Sequence, residues 1–282
     1  MSNLPDYLMT LPNLITVVYI VTFVAYGALS VFFLRAQLAG TAETLNRGLL
    51  GNAVLLPIAL HGYLLYDNLW FAGALNLGLV HALSLILWLT ILVYWLAHFF
   101  YPLASLKALM LPLAGVGAVL PLIFPSTRLM SQPTTWAFDA HVLAAMLAYS
   151  LFTIAALHAG LMALAENSLH RARTPALLRN LPPLLTMEAL LFRIIGAGFV
   201  LLTLTLISGV VFSEQIFGRA WQFNHKILFG FISWAVFGVL LAGHRFYGWR
   251  GRTAVNWTMS GFGFLLLAYI GSKFVLEVIL HR

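Results

Sequence analysis

The sequence predicts an all-α polytopic membrane protein, a bundle of about eight transmembrane helices with the N- and C-termini both outside. Three observations predict it. The chain is 62% hydrophobic and only 8% charged, where a soluble domain carries about 25% charged residues. With so little charge, most of its surface must face lipid. Its mean hydropathy of +0.95 comes from apolar runs that recur along all 282 residues. Lys and Arg fall between those runs, the usual pattern that sets membrane topology.

A hydrocarbon core takes about 20 apolar residues per helix, and open backbone is not tolerated there, so each span is expected to be helical. The spans fall at about 11–34, 48–66, 74–97, 108–124, 138–165, 187–213, 225–244 and 255–280. The opening MSNLPDYLMTLPN holds Asp6 and no basic residue, so it does not read as a cleavable signal peptide. With the N-terminus outside, the inner loops hold Arg35, Arg47, Lys107, Arg171, Arg173, Arg179, Arg245, Arg250 and Arg252. The outer segments hold Arg128, Arg219, Lys226, Lys273 and Arg282. Nine against five favours this orientation by the positive-inside rule. Trp136 and Trp221 then lie at the outer boundary, where amphipathic aromatics prefer to sit. The longest polar segment, 166–186, is too short to fold alone, so residues 1–282 read as a single integral membrane domain.

Composition also narrows the chemistry. There is no cysteine, hence no disulfide, thiolate ligand or self-supplied thioether. The formal net charge of +7 belongs to topology and is not a nucleic-acid signal. No Walker motif, GxSxG, HExxH or CxxCH occurs. The nine histidines are the remaining soft nitrogen ligands.

A helix rises about 1.5 Å per residue, so each histidine can be assigned a depth. His141, His225 and His281 sit at the outer ends of their spans, while His98 and His244 close theirs at the inner face. His61 and His81 match in depth to within about 3 Å on this count. His158 is seventeen residues after His141 and falls toward the inside. His170 and His225 read as interfacial and solvated. An ionisable group inside a membrane is a functional candidate. It also serves as a hydrogen-bond link between helices, and both readings stand for any one histidine. Pairs at one depth suit bis-histidine ligation of a planar cofactor. Glu188 is placed to serve a helix N-terminus. Arg193 is placed to snorkel to the inner interface or to meet a substrate.

Some stretches carry a resemblance. His141-Val142, with Tyr149 eight residues on, resembles the HV…Y segment of the cytochrome c assembly family, which includes CcsA/ResC, CcmF and HemX-like proteins. LLTLTLISG (201–209), GHRFYGWRG (243–251) and LAYIGSKFV (267–275) are similar to the YpjD subgroup of inner-membrane proteins. The likeness covers nearly the whole chain, and residues 138–282 are most like the family core.

The resemblance implies non-covalent haem b in a bacterial inner membrane. It matches His141 and His281 to the outward histidines that ligate haem beside a Trp-rich loop. It matches His244 to a histidine ligating a second haem within the membrane, with His61 as partner and His81 and His98 as further candidates. The family's WGxxWxWD pattern is missing: the chain reads FGRAWQFNHK (217–226) there, keeping Trp221 and Lys226 without an Asp. That departure favours haem binding or traffic over thioether formation, in a non-enzymatic protein assisting cytochrome c assembly. The implied partners are membrane lipid, haem and other cytochrome biogenesis proteins, with no nucleic acid. A transporter of a small molecule or ion is the alternative, as is a HemX-like regulatory or scaffold subunit that docks through 166–186.

Overall fold

The computed structural model describes residues 7–47, 49–69, 78–101, 104–125, 135–170, 178, 181–217 and 225–272. Among them there is no strand. The long helices follow the apolar runs, and seven of them are long and apolar enough to cross a membrane. The helices are α1 (Tyr7–Ala39), α2 (Ala42–Arg47), α3 (Leu55–Leu69), α4 (Leu79–Ala97), α5 (Ala104–Ile123), α6 (Trp136–His170), α7 (Leu184–Phe217), α8 (His225–Tyr247) and α9 (Gly251–Leu266). A 3-10 turn, Leu49–Val54, leads directly into α3, and a π-helical turn, Leu267–Gly271, continues α9. The second expected span is therefore a 3-10 turn joined to a helix of 15 residues.

The chain divides into two compact units, Met1–Gln132 and Pro133–Arg282. In the first unit α1 packs on α3 and α5, and α4 packs on α3 and α5, closing a ring of four helices. In the second, α6 packs on α7 and α9, and α8 packs on α7 and α9, closing another ring. Helix ends follow local chemistry. Gly40, at φ 76°, stops α1 with bonds from Gly40 N to Gln37 O (3.2 Å) and from Thr41 N to Ala36 O (2.9 Å), the paired closure that a left-handed residue after a helix permits.

The charge-based reading of the loops needs one correction. Lys107, expected in an inner loop, lies on α5 and is fully buried. Its ammonium donates to Gly51 O (3.1 Å) and sits 4.3 Å over the Phe33 ring. The helix begins four residues before the apolar run, and a carbonyl and a π-face solvate the cation in place of water. Arg35 and Arg47 are likewise within helices.

The core of the second unit is aromatic. Phe152 of α6 stacks on Phe237 of α8 at 3.9 Å between centroids. Gly261 of α9 makes room for it, since a Cβ there would lie 2.8 Å from the Phe237 ring. Lipid-facing residues such as Val200, Leu204, Ile207 and Val239 are apolar and exposed.

Candidate functional site

The second unit carries a histidine of interest near each end of α7. At one end, α8 stops at Tyr247, and Gly248 (φ 66°) and Gly251 (φ 51°) turn the chain into α9. Trp249 folds back over the end of α8, its amide bonded to Gly243 O at 3.2 Å. Its indole lies where a Cβ on Gly243 would be, 2.4 Å from that position, and its ring packs on Trp257 at 5.2 Å. This brings the Trp249 carbonyl to 2.9 Å from His244 Nδ1. A carbonyl only accepts, so Nδ1 carries the proton and the neutral ring keeps its lone pair on Nε2. The face of the imidazole stacks on Phe192 of α7, 3.5 Å between centroids and 13° from parallel.

The turn is tied down as well. Glu188, one turn before Phe192, accepts from Gly251 N (3.3 Å) and lies 3.8 Å from Arg250 Nε. Glu188 does serve a helix N-terminus, but that of α9 rather than its own. Arg252 reaches Asn167 of α6 at 3.3 Å. Arg193 lies on the exposed face of α7.

At the other end His141 Nδ1 meets Ser208 Oγ of α7 at 2.7 Å. Ser208 bonds Leu204 O at 2.7 Å. With its one proton committed there, it accepts from Nδ1–H, and the His141 lone pair is again on Nε2. Gly209 lets the ring approach: a Cβ there would be 3.3 Å from His141 Cε1. Nearby, Tyr149 donates to Leu265 O (2.8 Å) just before the π-helical turn, and its ring meets Tyr269 at 5.9 Å. Lys226 Nζ lies 5.1 Å from the Tyr269 centroid. His281 and Trp221 lie outside the described residues. Ser208 and Phe192 are sixteen residues apart on α7, about 24 Å along the axis, so His141 and His244 belong to separate places and cannot share one iron.

The other histidines are differently disposed. In the first unit His61 is fully buried, with Nε2 at 3.0 Å from Ser84 Oγ and Nδ1 without a hydrogen-bond partner. His81 lies one turn before Ser84 on α4 and is also buried. His98 caps α4, with Nδ1 bonded to Trp95 O and its ring against Phe99. In the second unit, His158 donates from Nε2 to Met187 O (2.8 Å), which leaves Nδ1 buried and unpartnered. It sits toward the His244 end. His225 opens α8 in an exposed position, and His170 is the last residue of α6. No group of three His, Asp or Glu side chains converges as a metal site among the described residues. Sequence reading found the histidines but missed what orients them: Trp249, Phe192 and Ser208. Gly248 behind the last turn of α8 was the available signal for the first.

A family model described as Cytochrome C assembly protein matches residues 50–280. The inner membrane protein YpjD of Escherichia coli K12 is 32% identical over 166 residues, 59% of this chain and 62% of that protein. The cytochrome c biogenesis protein CcsA of Prochlorococcus marinus MIT 9515 is 36% identical over 89 residues, 32% of this chain and 28% of CcsA. The CcsA of Synechocystis is 35% identical over 86 residues, 30% and 26% of the two chains. The chain thus spans less than two thirds of the length of these relatives. No solved structure matches it. Apolar spans and an inner-membrane relative together make this a multi-pass protein of a bacterial inner membrane. With the match running through more than half of the first unit and nearly all of the second, the chain belongs to the cytochrome C assembly protein family.

Proposed function

We propose that this protein binds haem b non-covalently and holds or passes it in the service of cytochrome c assembly, without forming the thioether bond itself. The observation that carries the reading is the mounting of His244. Its Nδ1–H is tied to the Trp249 carbonyl and its face to Phe192, which leaves Nε2 as the donor in a fixed direction. An imidazole that ligates iron is characteristically held by such an outer hydrogen bond.

His141, held by Ser208, fits the same requirement, and His281 is its expected partner. The donor set therefore suits haem iron, which His244 and His141 would hold through nitrogen and which would supply an electron-accepting centre. His61 and His158 fit less well as they stand, because their Nε2 atoms are engaged with Ser84 and Met187. The chain has no WGxxWxWD loop, which is why the thioether step is left to another protein. Relatives named for cytochrome c biogenesis support the same assignment.

The test is the reduced-minus-oxidised and pyridine-haemochrome spectrum of protein purified in detergent after expression with haem supply. A b-type spectrum that weakens in His244→Ala, and again in His141→Ala with His281→Ala, is expected. No haem band in the parent protein, or full occupancy in all the variants, would overturn it.

A further inference from the structure

The end of the second unit that carries His244 also carries a basic and aromatic patch whose side chains take no part in holding that ring. Arg245, Phe246 and Tyr247 close α8, and Arg250 and Arg252 flank the first residue of α9. All five are exposed, Phe246 by 76% and Tyr247 by 80%.

The charge of the patch is poorly compensated. Among the described residues Glu188 is the one carboxylate within ion-pair reach of the three arginines, 3.8 Å from Arg250 Nε, and the Arg250 side chain is 65% exposed. A pair so open to solvent neutralises little. Arg252 is bonded to the neutral amide of Asn167 at 3.3 Å. The Arg245 guanidinium lies 6.0 Å from the Phe246 ring, so one cation adjoins one of the exposed rings. The turn between them is already ordered. Gly248 and Gly251 take positive φ, Trp249 packs on Trp257, and Gly251 N is bonded to Glu188. Little ordering is left for a ligand to impose.

An apolar track leads to the patch. Leu228, Phe231, Ala235, Val239, Ala242 and Phe246 are all exposed. Their steps of three and four make one face of α8, opposite the buried Gly230, Ser233, Phe237 and Leu240. From Ala235 to Phe246 the track runs about 16 Å. That is about half of the ~30 Å hydrocarbon core, the depth of one leaflet.

We propose that this surface binds an anionic phospholipid, its acyl chains along the α8 track and its headgroup phosphate on Arg245 and Arg250. The guanidinium fork matches phosphate oxygens through paired N–H donors. Tyr247 beside it suits the headgroup boundary, where amphipathic aromatics sit. A soluble phosphate would use the arginines and leave the track empty. A zwitterionic lipid would use the track and leave the positive charge uncompensated. Arginines that act only by fixing orientation during insertion would leave the purified protein indifferent to headgroup charge, so the two roles part in one measurement.

The test is native mass spectrometry of the full-length protein in detergent, titrated with phosphatidylglycerol or phosphatidylcholine of matched acyl chains. It needs no bound haem. Phosphatidylglycerol should bind more tightly by about 25-fold, at about fivefold for each of the two arginines. Arg245→Gln with Arg250→Gln should abolish that preference, whereas Arg245→Lys with Arg250→Lys should keep most of it. Arg35→Gln, at an exposed arginine of α1, should change nothing. The double Gln variant should keep the wild-type thermal midpoint in lipid-free detergent, which separates lost binding from lost folding. Equal affinity for the two lipids, or an unchanged preference in the double Gln variant, would overturn the proposal. So would displacement of the lipid by glycerol 3-phosphate alone, the mark of a soluble phosphate site, or a dimer of the chain that excludes lipid.

Discussion

Replacing Gly243 with Ala drives a methyl group into the indole of Trp249. The new Cβ would sit 2.4 Å from Trp249 Cδ2 and Cε3, whereas carbon atoms rest about 3.5–4.0 Å apart. The indole must therefore retreat by about 1.1–1.6 Å to restore contact. Its carbonyl stands 2.9 Å from His244 Nδ1, so a movement of that size breaks the bond. Overpacking costs about 1–3 kcal/mol and the lost bond about 0.5–1.5 kcal/mol, together roughly 2–4 kcal/mol. Thermal unfolding in detergent should show a midpoint lowered by several degrees. Nitrogen-15 NMR of labelled histidine should show His244 leaving the Nδ1–H tautomer for a mixture. An unchanged midpoint with His244 still in the Nδ1–H form would refute the argument that Gly243 seats Trp249 and Trp249 orients His244.

Three further substitutions probe the second unit. Gly261→Ala places a Cβ 2.8 Å from the Phe237 ring and should cost about 1–3 kcal/mol, read as a lower midpoint and a changed near-UV aromatic signal. Tyr149→Phe leaves Leu265 O without its hydroxyl partner, at about 1–2 kcal/mol. Hydrogen exchange should accelerate through the π-helical turn that follows. Glu188→Ala should cost about 1 kcal/mol, chiefly through the bond to Gly251 N. The ion pair contributes little because the Arg250 side chain is 65% exposed, so raising the salt concentration should barely change the effect.

The fold was legible because its cause is composition. A lipid-facing helix needs a long apolar run, and such runs bracket α1 and α4 to α9. The boundaries were less so: apolarity ends before a helix does when a polar residue can be satisfied inside, as Lys107 shows. Histidines could be found but their states could not. His61 and His244 look alike in the sequence, yet Ser84 engages Nε2 of one and Trp249 engages Nδ1 of the other. Those partners lie 23 residues away in the first case and across a glycine turn in the second. α1 also buries a polar face, Tyr19, Thr22, Tyr26 and Gln37 with Ser30 beside them, which was present in their spacing. A search for apolar faces passes over it, because in a membrane helix the informative stripe is the polar one.

The closed ring of the first unit also sets a schedule for its synthesis. α1 finds its last neighbour only when α5, ending at Ile123, has been made. Between the end of α1 and that point lie 84 residues, 123 minus 39, which a ribosome adds in about 4–17 s at 5–20 residues per second. Throughout that interval the buried face of α1 lacks the cover of α5 and has at most α2 and α3 with its leading 3-10 turn against it, so a protein-lined or wet environment suits it better than free lipid. The insertion machinery is therefore expected to retain the first helix of this protein until four more segments have followed it.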